Sequence, residues 1–89
     1  MTNETYFNHP VFGLLYRVCI LDDNQELFTT LYAQRLFFLV KMIPNNTVLE
    51  PISRSDARLL VEKRLRNLHR LGRTEEYKDF QAMYKQTFP

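Results

Sequence analysis

Two stretches of this 89-residue chain, Phe12 to Leu21 and Leu36 to Ile43, are apolar at nearly every position. A strand with one face in water alternates apolar with polar residues, so a run without that alternation needs cover on both sides. In the first stretch alternation sets Phe12, Leu14, Tyr16, Val18 and Ile20 on one face, and Gly13, Leu15, Arg17, Cys19 and Leu21 on the other. Neither set is polar enough to be left to solvent. Chains of this size bury only roughly 60–65% of their unfolded surface, so the second cover has to come from a small appended element or from a partner.

Turn-forming residues cut the first half of the chain into short pieces. Residues 1–10 read as an arm that ends in a turn at Asn8, His9 and Pro10. Asp22, Asp23 and Asn24 separate the Phe12–Leu21 strand from a second, Glu26 to Tyr32. Ala33-Gln34 is short enough for a hairpin loop into a third strand, Arg35 to Met42, although it lacks the Asn-Gly type of chemistry such loops favour. Pro44, Asn45 and Asn46 turn the chain again before a short strand at Thr47 to Ile52. There Pro51, with no N–H to give a ladder, suits an edge or a strand end. Short antiparallel strands at this spacing predict a small SH3-like or Tudor-like five-stranded barrel over residues 1–52.

Residues 53–89 have a different texture. Ser53 or Ser55 can cap a helix, with Ser53-x-x-Asp56 a shortened form of the capping box. Ala57, Leu60, Val61, Arg64, Leu65, Leu68 and Leu71 then recur at helical period. Gly72 is a natural stop. Thr74 can cap a second helix whose Glu75 and Glu76 suit the N-terminal dipole, and Tyr77, Phe80, Met83, Tyr84 and Phe88 share its apolar side. So short a connection pairs the two helices as an antiparallel hairpin, which can cover part of the doubly apolar strands.

Several function classes fall away. Only two glycines are present, so no phosphate-cradling loop is available, and no Ser, His and acid form a nucleophile motif. Asp22 and Asp23 are adjacent and point apart on a strand end, which makes a turn and not an acid/base pair; the chain reads as no enzyme. Cys19 is alone and His9 and His69 are far apart, so neither a disulfide nor a metal site is expected. No run approaches the ~18–20 apolar residues of a membrane span. The start, MTNETYFNHP, has neither the basic nor the apolar region of a signal peptide, and together these features lead to an expectation of a soluble protein in a reducing compartment.

Net charge is +2, but it is unevenly spread. Residues 1–53 balance at −2, residues 54–73 at +5 and residues 74–89 at −1. Arg54, Arg58, Lys63, Arg64, Arg66, Arg70 and Arg73 could track a phosphate backbone. The plainer reading is a solvated helix face, with Arg58 and Glu62 paired four residues apart. Nucleic-acid binding through Arg58, Arg66 and Arg70 is therefore one reading. The aromatics, however, lie in a different and acidic segment. The other reading starts from Leu31 to Val40, LYAQRLFFLV, which sets Gln34 and Arg35 inside an apolar and aromatic run. Tyr6, Phe7, Phe12, Tyr16, Tyr32, Phe37 and Phe38 are too many for a two-helix hairpin to cover. Apolar patches with polar rims mark protein–protein surfaces, where Tyr and Arg dominate binding energy; Tyr32 and Arg35 are the anchors this predicts.

The segments YFNHPVFGLLY, ELFTTLYAQRLFFLV, EPISRSDARLLVEKRLRNL and FQAMYKQTF resemble the PipX family, small regulatory proteins of cyanobacteria. The resemblance covers essentially the whole chain and is weakest at Ile20–Gln25, Lys41–Val48 and Leu71–Lys78. It implies a Tudor-like (KOW-like) domain followed by two helices. It also implies two alternative partners and no cofactor. One is the trimeric signalling protein PII, taking up to three copies when 2-oxoglutarate is low and ADP is favoured. The other is the dimeric transcription activator NtcA, taking one copy per subunit when 2-oxoglutarate is high, with the family protein as coactivator of nitrogen-assimilation genes. DNA is then reached only through NtcA, and the helices are left free for a further transcription regulator. By the resemblance the surface for both partners falls on Tyr32, Gln34, Arg35, Leu36 and Phe38. Tyr16 is added from the neighbouring strand, and Glu4, Tyr6 and Phe12 are added for NtcA.

Overall fold

The computed structural model describes residues 6–30 and 36–89. Five strands, β1 (Tyr6–His9), β2 (Gly13–Asp22), β3 (Gln25–Thr30), β4 (Phe37–Ile43) and β5 (Asn46–Ile52), precede two helices, α1 (Arg54–Arg70) and α2 (Thr74–Thr87). The strands form one antiparallel meander in chain order, curled into a half-barrel. The expected arm proves to be partly a strand. Tyr6 to His9 pairs with Tyr16 to Gly13, so the chain turns back on itself at residues 10–12. The turn expected at Asn8, His9 and Pro10 comes later than that, because Asn8 and His9 are still paired in β1 and of the three only Pro10 falls in it. His9 instead braces the turn with its side chain. Its Nδ1 accepts the backbone N–H groups of Val11 at 3.0 Å and Phe12 at 3.1 Å.

The doubly apolar strands receive two separate covers. From β4, Phe37 and Leu39 pack with Leu21, Leu27, Ala57, Val61 and Phe88 in a core between sheet and helices. Phe38 and Val40 point the other way and pack with Leu15, Phe28 and Leu49 inside the curl. The strict two-face alternation expected for Phe12–Leu21 fails within β2. Arg17 pairs with Phe28 but Cys19 with Leu27, so Val18 is the extra residue of a bulge. Before the bulge Leu15 faces the curl; after it Cys19 and Leu21 face the helices. The bulge at Val18 thus lets a single strand serve both cores, and a second irregularity follows at Leu21, between Ile20 and Asp22.

Ser53 Oγ accepts the Asp56 N–H at 3.0 Å and opens α1 as the capping pattern required. Ala57, Val61 and Leu68 are its buried residues, whereas Leu71, the last member of the expected stripe, is 58% exposed. The helix ends in a left-handed glycine cap. Gly72 takes φ +72°, its N–H reaches the His69 carbonyl and the Arg73 N–H reaches the Leu68 carbonyl. Thr74 does not cap α2. The cap position is Arg73, which makes no side-chain capping bond, and Thr74 is the first helical residue. At the far end Phe88 locks the hairpin down. It stacks on Phe37 at 5.5 Å between ring centroids and lies under the Arg54 guanidinium at 5.1 Å, while Arg54 Nη2 donates to the Thr87 carbonyl.

Candidate protein-interaction surface

Of the nine residues expected to meet partners, Glu4, Tyr32, Gln34 and Arg35 lie outside the described residues. The residues on either side of 31–35 are hydrogen-bonded to each other. The Leu36 carbonyl accepts both the Thr29 hydroxyl at 2.8 Å and the Thr30 N–H at 3.2 Å, which holds Thr30 beside Leu36. Leu36 is 46% exposed and precedes β4, so the third strand starts later than the expected Arg35.

Besides Leu36, the other four fall into two groups on opposite faces of the sheet. Phe12 leans on Phe38 at 5.1 Å, and His9 packs against both rings, at 4.9 Å from Phe12 and 6.1 Å from Phe38. Phe38 is only 2% exposed. Within this pair Phe12 offers the accessible ring, and Phe38 sets its position from below. Tyr6 stands opposite Tyr16 in the β1–β2 ladder, and Tyr16 stands opposite Thr29, which faces Phe37 across the next rung. Alternation therefore puts the two tyrosines on the helix-facing side of the sheet, beyond the hairpin's cover. Burial raises the phenol pKa of Tyr16 above its usual value.

Tyr6, Phe7, Val11, Phe12 and Leu36 are all exposed, which leaves an apolar rim where β1, the turn after it and the start of β4 project. Phe7 belongs to this rim as much as Phe12 does; its signal was its place in the surplus of aromatics. Val11 gave no signal beyond being an apolar residue in a turn. The rim has little charge of its own. The nearest ion pair on β2, Arg17 with Glu26 at 3.6 Å, is largely buried.

A second feature lies between β2 and the helices, a groove of about 660 Å³ that includes Tyr16, Cys19, Arg64, Phe80 and Met83. Burial pushes the Cys19 thiol up to about 12, with Arg17 and Arg64 opposing that effect. The protonated thiol is a poor nucleophile at neutral pH. Among the described residues no three His, Cys, Asp or Glu side chains converge as metal ligands would. No helix among them is long and apolar enough to cross a membrane.

Two of the basic residues of α1, Arg54 and Arg58, are engaged within the helical part of the chain. Arg58 Nε meets Glu62 at 3.5 Å, the pair expected from their spacing, and the same carboxylate accepts the Tyr84 hydroxyl, raising that phenol's pKa. Arg54 is held against Phe88.

A search of curated proteins found no match. The family model described as PII-interacting protein X matches residues 3–88, spanning the half-barrel, its apolar rim and both helices. The chain is a member of the PII-interacting protein X (PipX) family.

Proposed function

We propose that this chain is a non-enzymatic cytoplasmic adaptor that binds PII or NtcA through the same barrel surface and acts as coactivator of NtcA. The observation that carries the reading is family membership over nearly the whole chain, in a family described by its interaction with PII. The exposed rim of Tyr6, Phe7, Phe12 and Leu36 supports it, because surplus apolar surface beside a charged segment is what a protein partner would cover. On this reading Tyr32 and Arg35 anchor the contact, Gln34, Leu36, Tyr16, Glu4, Tyr6 and Phe12 surround them, and Phe38 holds Phe12 in place.

One surface cannot serve two partners at once, so regulation needs no ligand site on this chain. A metabolite that changes the affinity of either partner redistributes the chain between them. Low 2-oxoglutarate with ADP favours the PII trimer, and high 2-oxoglutarate favours the NtcA dimer. The hairpin is the part free to respond, since α2 buries no residue completely and is held through Phe80, Met83, Tyr84 and Phe88. Amide exchange in α1 and α2 with and without PII tests that point; unchanged protection refutes it. The function itself is tested by capturing PII and NtcA on the immobilised chain with 2-oxoglutarate or ADP present. Metabolite-dependent exchange of partners, lost in Tyr32→Ala and Arg35→Ala, is the expected result. Capture of neither protein by the wild-type chain refutes it.

A further inference from the structure

The free end of the helical hairpin brings together residues that are well separated in the sequence. His69 of α1 meets Tyr77 of α2 with ring centroids 5.5 Å apart and planes at 61°. An edge-on contact spends at most one ring face, so most of the π-surface of the pair is not consumed by it. The two rings line two adjoining clefts. One, of about 340 Å³, also includes Arg66; the other, of about 390 Å³, includes Arg73 and Lys78.

Charge is sorted across α2. Glu76 and Asp79 line the groove on the barrel side, while neither of the two clefts has an acidic residue in its lining. Arg73 does reach Glu76 at 3.5 Å, but both side chains are about half exposed, and such a pair is readily exchanged for another anion. No ion pair engages Arg66 or Lys78 among the described residues. The sequence alone had set the aromatics and the basic residues in different segments. The helical turn at Gly72 removes that separation for Tyr77.

Planar rings flanked by Arg66, Lys78 and the exchangeably paired Arg73, with no acidic residue lining either cleft, match the chemistry of a phosphate-linked planar base: cations follow the backbone and rings receive the bases. We propose that the hairpin end, through Arg66, His69, Arg73, Tyr77 and Lys78, is a binding site for single-stranded nucleic acid, separate from the barrel rim. An acidic protein surface would use the cations but would gain little from the rings.

The test uses the full chain with a fluorescein-labelled 12-nucleotide single-stranded RNA, followed by anisotropy across a salt series. Binding should weaken with salt, and the slope should fall by about 0.7 for each cation removed in Arg66→Gln and Lys78→Gln. Tyr77→Ala should weaken binding about 5-fold or more, Tyr77→Phe should keep it, and Phe12→Ala on the rim should leave it unchanged. Circular dichroism confirms that each variant is folded. Absence of binding up to about 100 µM at low salt overturns the proposal. So does a folded Tyr77→Ala that binds as well as wild type, or polyglutamate that competes as strongly as RNA.

Discussion

Replacing Phe88 by alanine tests how the hairpin is held to the barrel. The ring is 7% exposed, stacks on Phe37 at 5.5 Å, touches Tyr84 at 5.8 Å and carries the Arg54 guanidinium 5.1 Å from its centroid. Truncating a buried Phe to Ala costs about 3–5 kcal/mol, the spread reflecting how far the site collapses. Phe88 sits at the C-cap of α2, where a helix end relaxes more readily than its middle, so a loss of about 3 kcal/mol is expected. Against about 4–13 kcal/mol for a chain of this length, that is a large fraction. With m of about 1–3 kcal/mol/M, the urea midpoint should fall by about 1–3 M. Native-state amide exchange should show the lost protection in both helices. A loss under about 1 kcal/mol, with helix amides as protected as before, would refute the view that this ring pins the hairpin.

Other expectations follow from single features. Ser53→Ala removes the acceptor of the Asp56 N–H and should cost about 1 kcal/mol by chemical denaturation. Gly72→Ala meets no atom within 4 Å, so its cost should be that of the left-handed backbone alone, about 1–2 kcal/mol. Cys19 should resist thiol reagents at pH 8 until the chain unfolds, because burial raises its pKa from 9.0 to about 12. A raised thiol pKa means the folded state holds the proton more tightly, so this stabilisation is complete below pH 9 and is lost as pH rises toward 12. Between pH 9 and pH 11 the wild type should lose about 1.4 kcal/mol per pH unit more than Cys19→Ala does. That difference also cancels the tyrosine titrations common to both proteins.

The sequence carried the architecture where local chemistry and tertiary packing agreed. Asp22-Asp23-Asn24 and Pro44-Asn45-Asn46 are turns by composition, and Asp22 Oδ1 does accept the Asn24 N–H at 2.8 Å while Asn45 takes φ 65°. The apolar runs demanded double cover, and the structure supplies it from the helices and the curl. What escaped was set by non-local pairing. Tyr6–His9 looks like an arm because its strand character comes from the ladder with β2, not from its own residues. The bulge at Val18 has no glycine to announce it. Thr74 reads as a cap, but the 6→1 bond from Arg73 to Leu68 fixes the chain one residue early. For the interaction surface, the surplus of aromatics was legible, yet composition could not divide it. Phe38 lies beneath Phe12, while Phe7 and Val11 stand in the rim.

The central claim is that one barrel surface is contested by two partners. The most direct measurement titrates PII, with ADP, against the labelled chain at several fixed concentrations of NtcA and 2-oxoglutarate. Competition predicts an apparent Kd for PII that rises in proportion to NtcA, with no species containing all three proteins in sedimentation. A Kd for PII that does not change with NtcA, or a stable ternary complex, would contradict the account.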